Sequence, residues 1–248
     1  MLSTALRSLV DGCLNALLPP ACVFCQGPAR QRGAACDACA RRVRVWPRKA
    51  CARCGEPLPA ELAPGPCGAC LRQPPPFSRM ESLYVYDGPV REAILNWKLA
   101  GKDAGVNWLM DAAAARLGEL FAPGDVLLPV PMPLSRMRRT GLHHAANLCR
   151  AIARRTGARM ESGWLRRAGD AGRQSARGRS ERWRHARHAF RLADATHRVD
   201  EGSRLWVVDD IRTTGATLHW ACRTLARSAA LNGADIRAFS LARTPAGA

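Results

Sequence analysis

Eight of the eleven cysteines fall into four Cys-x-x-Cys pairs: Cys22/Cys25, Cys36/Cys39, Cys51/Cys54 and Cys67/Cys70. Two thiolates separated by two residues reach one ion from a tight turn, and two such turns complete a tetrahedral site of four thiolates. The intervals between successive pairs suit two structural zinc ions, one on Cys22, Cys25, Cys36 and Cys39 and one on Cys51, Cys54, Cys67 and Cys70. An interleaved pairing of the four turns satisfies the same spacing. With every coordination position filled by protein, such sites leave no place for catalysis. Disulfides would need an oxidising compartment, and no export signal is visible. A redox Cys-x-x-Cys normally occurs once, at a strand-to-helix junction, whereas these four lie in loop-like sequence.

A second constellation is Leu205-Trp-Val-Val-Asp209-Asp210-Ile-Arg212-Thr213-Thr214-Gly215-Ala216-Thr217. An apolar strand delivers two adjacent carboxylates to its C-terminal edge, the usual ligand side of an open α/β sheet. A loop of small residues then opens a helix, whose first backbone N–H groups are unpaired and suit a phosphate. Thr213, Thr214 and Thr217 add hydroxyl donors, and Gly215 lets the backbone approach an anion closely. The carboxylates repel that anion and suit hydroxyls beside it, so the pattern matches a sugar phosphate. The competing reading is a threonine-capped helix after an acidic turn. A Walker-type loop is excluded because the Gly-Lys-Ser/Thr ending is missing.

The elements that must position these groups divide the 248 residues into two chemistries. Residues 1–18 read as an amphipathic helix, with Leu2, Leu6, Leu9, Val10, Cys13 and Leu17 at helical spacing. Residues 19–72 carry all four cysteine pairs and are too small and loop-rich to hold together by burial alone. Zinc binding to such segments is worth on the order of 10–16 kcal/mol near neutral pH, enough to fold them. A proline linker at 73–77 follows. Residues 78–248 alternate strands with helices: strands at Ser82–Tyr86, Val126–Val130, Leu205–Val208 and Ile236–Leu241, and helices at Pro89–Leu99, Val106–Leu120, Ala145–Arg155 and from Thr217. That alternation argues for an α/β fold with a mostly parallel sheet flanked by helices. Cys13, Cys149 and Cys222 stand alone and read as small buried side chains rather than reactive thiols. Apart from the cysteine pairs no internal repeat is apparent.

The net charge of +18 comes almost entirely from arginine. It suits an anionic partner, and it equally suits a genome biased toward arginine codons. Residues 166–191 concentrate arginine around Trp183 and Phe190, a combination that fits single-stranded nucleic acid or a solvated basic loop. His143, His144, His185 and His188 lack a matching ligand cluster and read as polar surface residues. No apolar run approaches the roughly 20 residues that cross a membrane, so the expected location is the cytoplasm.

Val207 to Leu218 resembles the signature of type I phosphoribosyltransferases, which bind phosphoribosyl pyrophosphate (PRPP). The whole chain resembles the ComF family of competence and DNA-uptake proteins. It has the family's four cysteine pairs, then Tyr86-Asp-Gly-Pro-Val-Arg-Glu-Ala-Ile94 through Lys98 and Gly101. Next come Val130-Pro-Met-Pro-Leu-Ser-Arg136 with Arg138, Arg139 and Gly141, then Gln174, Arg182 and Ala189-Phe190. The chain departs from the family pattern at His143-His144, Arg177 and His185. The resemblance implies a type I phosphoribosyltransferase-like fold behind a double zinc ribbon. It implies that Asp209 and Asp210 hold ribose hydroxyls and that Thr213, Thr214, Gly215, Ala216 and Thr217, with Arg212 beside them, hold the 5′-phosphate. Arg136, Arg138 and Arg139, just past a strand end, would then lie beside the pyrophosphate, and Mg²⁺ would accompany it. Two functions are consistent with that resemblance: phosphoribosyl transfer to an acceptor with release of pyrophosphate, and non-catalytic binding of single-stranded DNA with sensing of PRPP or a nucleotide. A partner protein of the competence machinery is a further expectation.

Overall fold

The computed structural model of the chain describes residues 19–133, 135, 137, 138, 141–168, 183, 186, 187, 189–193, 199, 200 and 202–245. The helix expected over residues 1–18, together with Cys13, Arg136, Arg139, Gln174, Arg177, Arg182, His185 and His188, lies outside them.

In chain order the helices are α1 (Asp37–Arg42), α2 (Gly68–Arg72), α3 (Gly88–Ala100), α4 (Ala104–Ala112), α5 (Ala114–Leu120), α6 (His144–Thr156) and α7 (Ala216–Ala226). The strands are β1 (Arg79–Val85), β2 (Val126–Pro129), β3 (Arg159–Met160), β4 (Leu165–Arg167), β5 (Phe190–Leu192), β6 (Arg204–Arg212) and β7 (Asp235–Arg243). They group into two compact units. One comprises residues up to Arg44 together with Asp87–Ala112; the other comprises Val45–Tyr86 together with residues from Ala113 onward.

The first unit holds one cysteine set and the α3–α4 helix pair. Pro89 opens α3, where its missing N–H costs nothing. Val90, Ile94 and Trp97 of α3 and Val106, Leu109 and Met110 of α4 are buried at helical spacing. Phe24, from the first cysteine turn, packs edge-on against Trp108 of α4 with ring centroids 5.4 Å apart.

The second unit is built on five parallel strands in the order β1-β7-β6-β2-β3. The mostly parallel α/β sheet flanked by helices is as the sequence indicates. In register, Leu205 of β6 pairs with Val126 of β2 on one side and Ile236 of β7 on the other. β2 and the first half of β6 are continuously apolar because both sheet faces are covered. On one face Leu205, Val207, Leu128 and Ala238 pack with Leu218, Ala221, Cys222 and Leu225 of α7. On the other, Trp206 is fully buried beside Phe121, whose ring also meets Phe239 at 5.2 Å. Asp125 is buried there as well, accepting hydrogen bonds from Trp206 Nε1 at 3.0 Å and Arg204 Nε at 2.5 Å.

Three local readings need correction. The single helix expected over Val106–Leu120 is two, because Ala113 leaves helical dihedrals at φ −95° and ψ 8°. The strand expected to stop at Val208 continues to Arg212, so the acidic pair lies within β6. β4 and β5 form an antiparallel hairpin where the sequence reads as an arginine-rich loop.

Candidate functional site

The two cysteine sets converge in sequential and not interleaved pairs, which decides between the two pairings that the spacing allows. In each set the four sulfurs lie within 4.8 Å of one another. Cys25 Sγ and Cys36 Sγ are 3.9 Å apart, and Cys54 Sγ and Cys67 Sγ are 3.8 Å apart. Four sulfurs at about 2.3 Å from a tetrahedral zinc stand roughly 3.8 Å from one another, so both sets fit the ion. Each set fits one structural zinc.

The two sets are copies of one fold. The Cys22 amide donates to Gly27 O and the Cys51 amide to Glu56 O, both at 2.7 Å. The Cys36 amide donates to Cys22 Sγ at 3.2 Å and the Cys67 amide to Cys51 Sγ at 3.1 Å. Short helices, α1 and α2, begin at the third cysteine of each set and carry the fourth. Burial opposes ionisation of Cys22 and Cys51, yet amide hydrogen bonds outweigh it and lower both thiols to about 6. Burial and the neighbouring thiols raise Cys39 to about 12. The amide donors that favour the Cys22 and Cys51 thiolates would favour the same sulfurs as metal ligands.

Both first turns close with the same backbone hydrogen bond, Gln26 N–H to Cys22 O at 3.0 Å and Gly55 N–H to Cys51 O at 2.9 Å, and the copies differ in which side chain braces them. In the first set Gln26 Nε2 reaches back to Cys22 O at 3.2 Å. In the second, Gly55 stands at the matching position with φ +65°, and an added Cβ would fall 2.6 Å from Met80 O of β1. Trp46 Nε1 donates to Gly55 O at 2.8 Å. Arg243, at the end of β7, donates through Nη1 to Cys54 O at 2.9 Å and pairs with Glu56. It is 2% exposed, with its guanidinium 4.7 Å over the Trp46 ring. The second cysteine set is thus fastened to Met80 near the start of β1 and, through the Arg243 side chain, to the C-terminal end of β7.

The second constellation lies on the C-terminal edge of the sheet. From β2 the chain turns through α6 toward β3, and from β6 it turns through α7 toward β7. The connections diverge, which opens a crevice beyond the ends of β2 and β6, where open α/β sheets bind ligands. Asp209 and Asp210 stand at the β6 side of that crevice, both partly exposed, with the Asp210 amide donating to Asp209 Oδ1 at 2.9 Å. Successive strand side chains point to opposite faces, so the two carboxylates flank the strand end. Thr213, Thr214 and Gly215 form the turn into α7. Thr214 Oγ1 lies 3.4 Å from the Ala216 amide, and Gly215 has φ +78°. A Cβ on Gly215 would stand 2.9 Å from Arg212 Nε, so the guanidinium lies directly across the turn. Arg136 and Arg139 fall outside the described residues, and their place beside this crevice stays an expectation.

The sequence reading missed His143, His144 and Arg243. His143 is half-buried and caps α6: Nδ1 accepts from the Ala146 amide at 3.1 Å, and Nε2 lies 3.4 Å from the Met132 amide. A neutral imidazole has one acceptor nitrogen, and the shorter contact assigns it to Nδ1. Burial, with the charge of Arg150, holds its pKa below the ordinary value against the pull of Asp210. His144 is 1% exposed. Neither is the surface residue expected, and the signal available was the departure from the family pattern at these two positions. Cys149 and Cys222 are buried as expected, and burial raises both thiols. Phe190 is 9% exposed, in the core under the Arg167 guanidinium, and is not open for base stacking. Trp183 packs against His219 at 4.8 Å and Trp220 at 6.3 Å, with Arg223 over the Trp220 ring. Among the described residues no helix is long and apolar enough to cross a membrane.

Comparison with known proteins agrees with this anatomy. Residues 13–71 match the double zinc ribbon domain. DNA utilization protein YhgH of Salmonella typhi is 31% identical over 238 residues, covering 92% of this chain and 98% of that protein. Competence protein F of Haemophilus influenzae is 25% identical over 229 residues, covering 90% and 96%. Competence protein ComFC of Bacillus subtilis is 22% identical over 213 residues, covering 84% of each. With paired tetracysteine sites, a parallel sheet and relatives aligned over nearly their whole length, the chain belongs to the ComF family of competence and DNA-utilization proteins.

Proposed function

We propose that residues 209–217 bind the 5-phosphoribosyl group of PRPP. The observation that carries this reading is the carboxylate pair of β6 followed at once by the Thr213–Thr217 turn, at the crevice where the strand connections diverge. Asp209 and Asp210 take the ribose hydroxyls. The 5′-phosphate meets the Thr213, Thr214 and Thr217 hydroxyls and the first amides of α7, where the helix dipole favours an anion. Arg212 lies against that turn and adds positive charge, while Arg136 and Arg139 flank the pyrophosphate. A Mg²⁺ ion bound with PRPP would neutralise its oxygens, since that ion is held mainly through phosphates and few protein ligands. In the catalytic form of this reading an acceptor attacks C1 of the ribose, the C1–O bond to pyrophosphate breaks, and preorganised cations take up the charge that develops. Paired tetracysteine metal sites need reduced thiols, which favours a reducing compartment such as the cytoplasm.

A second reading rests on a different observation. Arg223 lies over the Trp220 ring of a Trp183–Trp220 aromatic cluster, Arg166, Arg187 and Arg191 are exposed, and relatives carry names that refer to DNA utilization and competence. Guanidinium groups beside aromatic rings suit single-stranded DNA, with PRPP or a nucleotide as the sensed ligand. A docked protein of the competence machinery fits the same role. Calorimetric titration of the zinc-loaded protein with PRPP and Mg²⁺ tests the first reading, with pyrophosphate release as the marker of turnover. Salt-sensitive binding of an oligonucleotide, with no binding of PRPP, would replace the first reading by a DNA-holding one.

A further inference from the structure

The two tetracysteine sites share a fold but not a neighbourhood. In the first, the turn is braced by its own Gln26 side chain on Cys22 O. In the second, the bracing side chain is Arg243, the last residue of β7, which donates to Cys54 O and pairs with Glu56. The backbone of Arg243 pairs in register with Arg212, and the Thr244 amide donates to Arg212 O at 3.0 Å. Arg212 in turn lies across Gly215. The Tyr86 amide donates to Arg243 O at 2.8 Å, which ties β1 to the same point. One buried guanidinium therefore stands between a metal site and the turn that follows the acidic pair.

We propose that metal in the Cys51, Cys54, Cys67 and Cys70 site orders the Asp209–Thr217 loop, and that Arg243 is the positioning residue that carries the effect. When zinc holds the four sulfurs, Cys54 O and Glu56 are fixed as acceptors, and the guanidinium is satisfied though almost fully buried. Four thiolates on one zinc carry a net negative charge, which favours the buried cation further. When the metal leaves, the turn loses its fixed geometry and Arg243 loses oriented partners. A buried charge without partners is costly, so the strand end must open to hydrate it. Opening at Arg243 releases the Thr244–Arg212 hydrogen bond, and Arg212 no longer braces the turn at Gly215. The first site has no such connection through Gln26, whose hydrogen bond stays within its own turn.

The inference rests on the phosphoribosyl reading only where ligand affinity is the measure, so the primary readout needs no ligand. Amide hydrogen exchange of the full-length, zinc-loaded protein is followed in peptides covering 51–56, 126–130 and 209–217. In an Arg243→Met protein, exchange over 209–217 should quicken at least about tenfold while 126–130 stays protected. Cys51→Ser/Cys54→Ser should lose one zinc equivalent and loosen 209–217, whereas Cys22→Ser/Cys25→Ser should lose one equivalent and leave it unchanged. Where the second-site double variant also loses protection at 126–130, the Arg243→Met result decides. Unchanged exchange over 209–217 in Arg243→Met, or equal loosening by both cysteine variants, overturns the proposal. PRPP titration of the same proteins separates the two ideas. Loosening as expected in a protein that binds no PRPP removes the ligand assignment and leaves the coupling in place.

Discussion

Replacing both acids of the loop, Asp209→Asn with Asp210→Asn, separates ligand binding from folding. Each carboxylate offers a charge-assisted hydrogen bond to a ribose hydroxyl, worth about 1.5–3 kcal/mol. The pair together is then worth about 3–6 kcal/mol. Asparagine keeps one neutral acceptor oxygen, and removing the negative charges also relieves repulsion with the phosphate, so the lower end applies. A loss of about 3 kcal/mol is a factor of roughly 10² in dissociation constant. The fold should hardly notice. The hydrogen bond from the residue 210 amide to the residue 209 side chain, 2.9 Å long in the native chain, is accepted as well by an amide oxygen. The apolar run Leu205–Val208 that anchors the strand is untouched. The expected melting shift is within about 4 °C for a protein of this size. Calorimetric titration with PRPP and Mg²⁺ gives the affinity, and thermal unfolding of the same sample gives the stability. An affinity within about threefold of the native protein, with the fold intact, would show that the acids do not hold the ribose and would refute the assignment. A collapse in stability would show instead that their work is structural.

Two further outcomes follow from the sheet. Asp125→Ala removes a buried carboxylate that serves Arg204, Trp206 and the Ala122 amide. Because the Arg204 side chain is 33% exposed and can hydrate, the cost should fall near the low end of the usual range, about 3 kcal/mol, read from denaturant unfolding by tryptophan fluorescence. Burial depresses the pKa of both His143 and His219, helped by Arg150 and Arg223 respectively. The folded state therefore binds fewer protons than the unfolded one at mildly acidic pH. Stability should be complete above about pH 6.5 and fall as pH drops through and below that value, and a His219→Gln protein should show a shallower fall in melting temperature.

What the sequence made legible was whatever is encoded locally. Ligand spacing in a Cys-x-x-Cys turn is set by three peptide units, so the paired sets could be read directly. The strand–acid–threonine–glycine order is equally local. The break at Ala113 left no mark, because Asp111–Arg116 contains only residues that continue a helix comfortably apart from the aspartate itself. β6 was cut short at Val208 because acidic residues are depleted in strands. Here pairing with Ser240 and Ala242 of β7 outweighs that preference. The β4–β5 hairpin has strands of three residues and two arginines at its centre, below any periodicity signal. Arg243 was invisible for another reason: its partners Cys54 and Glu56 are 189 and 187 residues away.

That separation sets an order of events during synthesis. A ribosome releases chain at roughly 5–20 residues per second, so the first cysteine set can close on its metal as soon as it emerges. The second set can bind an ion early too, but its clasp does not exist until β7 has been made, many seconds later. β1 waits with it, since its described partner strand is β7, which threads between β1 and β6 after both are in place. For that interval the nascent chain carries an unpaired strand edge beside a metal-binding turn that nothing yet braces. Contacts of such long range slow folding and lengthen exposure to wrong partners. The duplicated ribbon thus matures in two stages, one able to take its metal early, the other completed only when the last strand slides into the sheet.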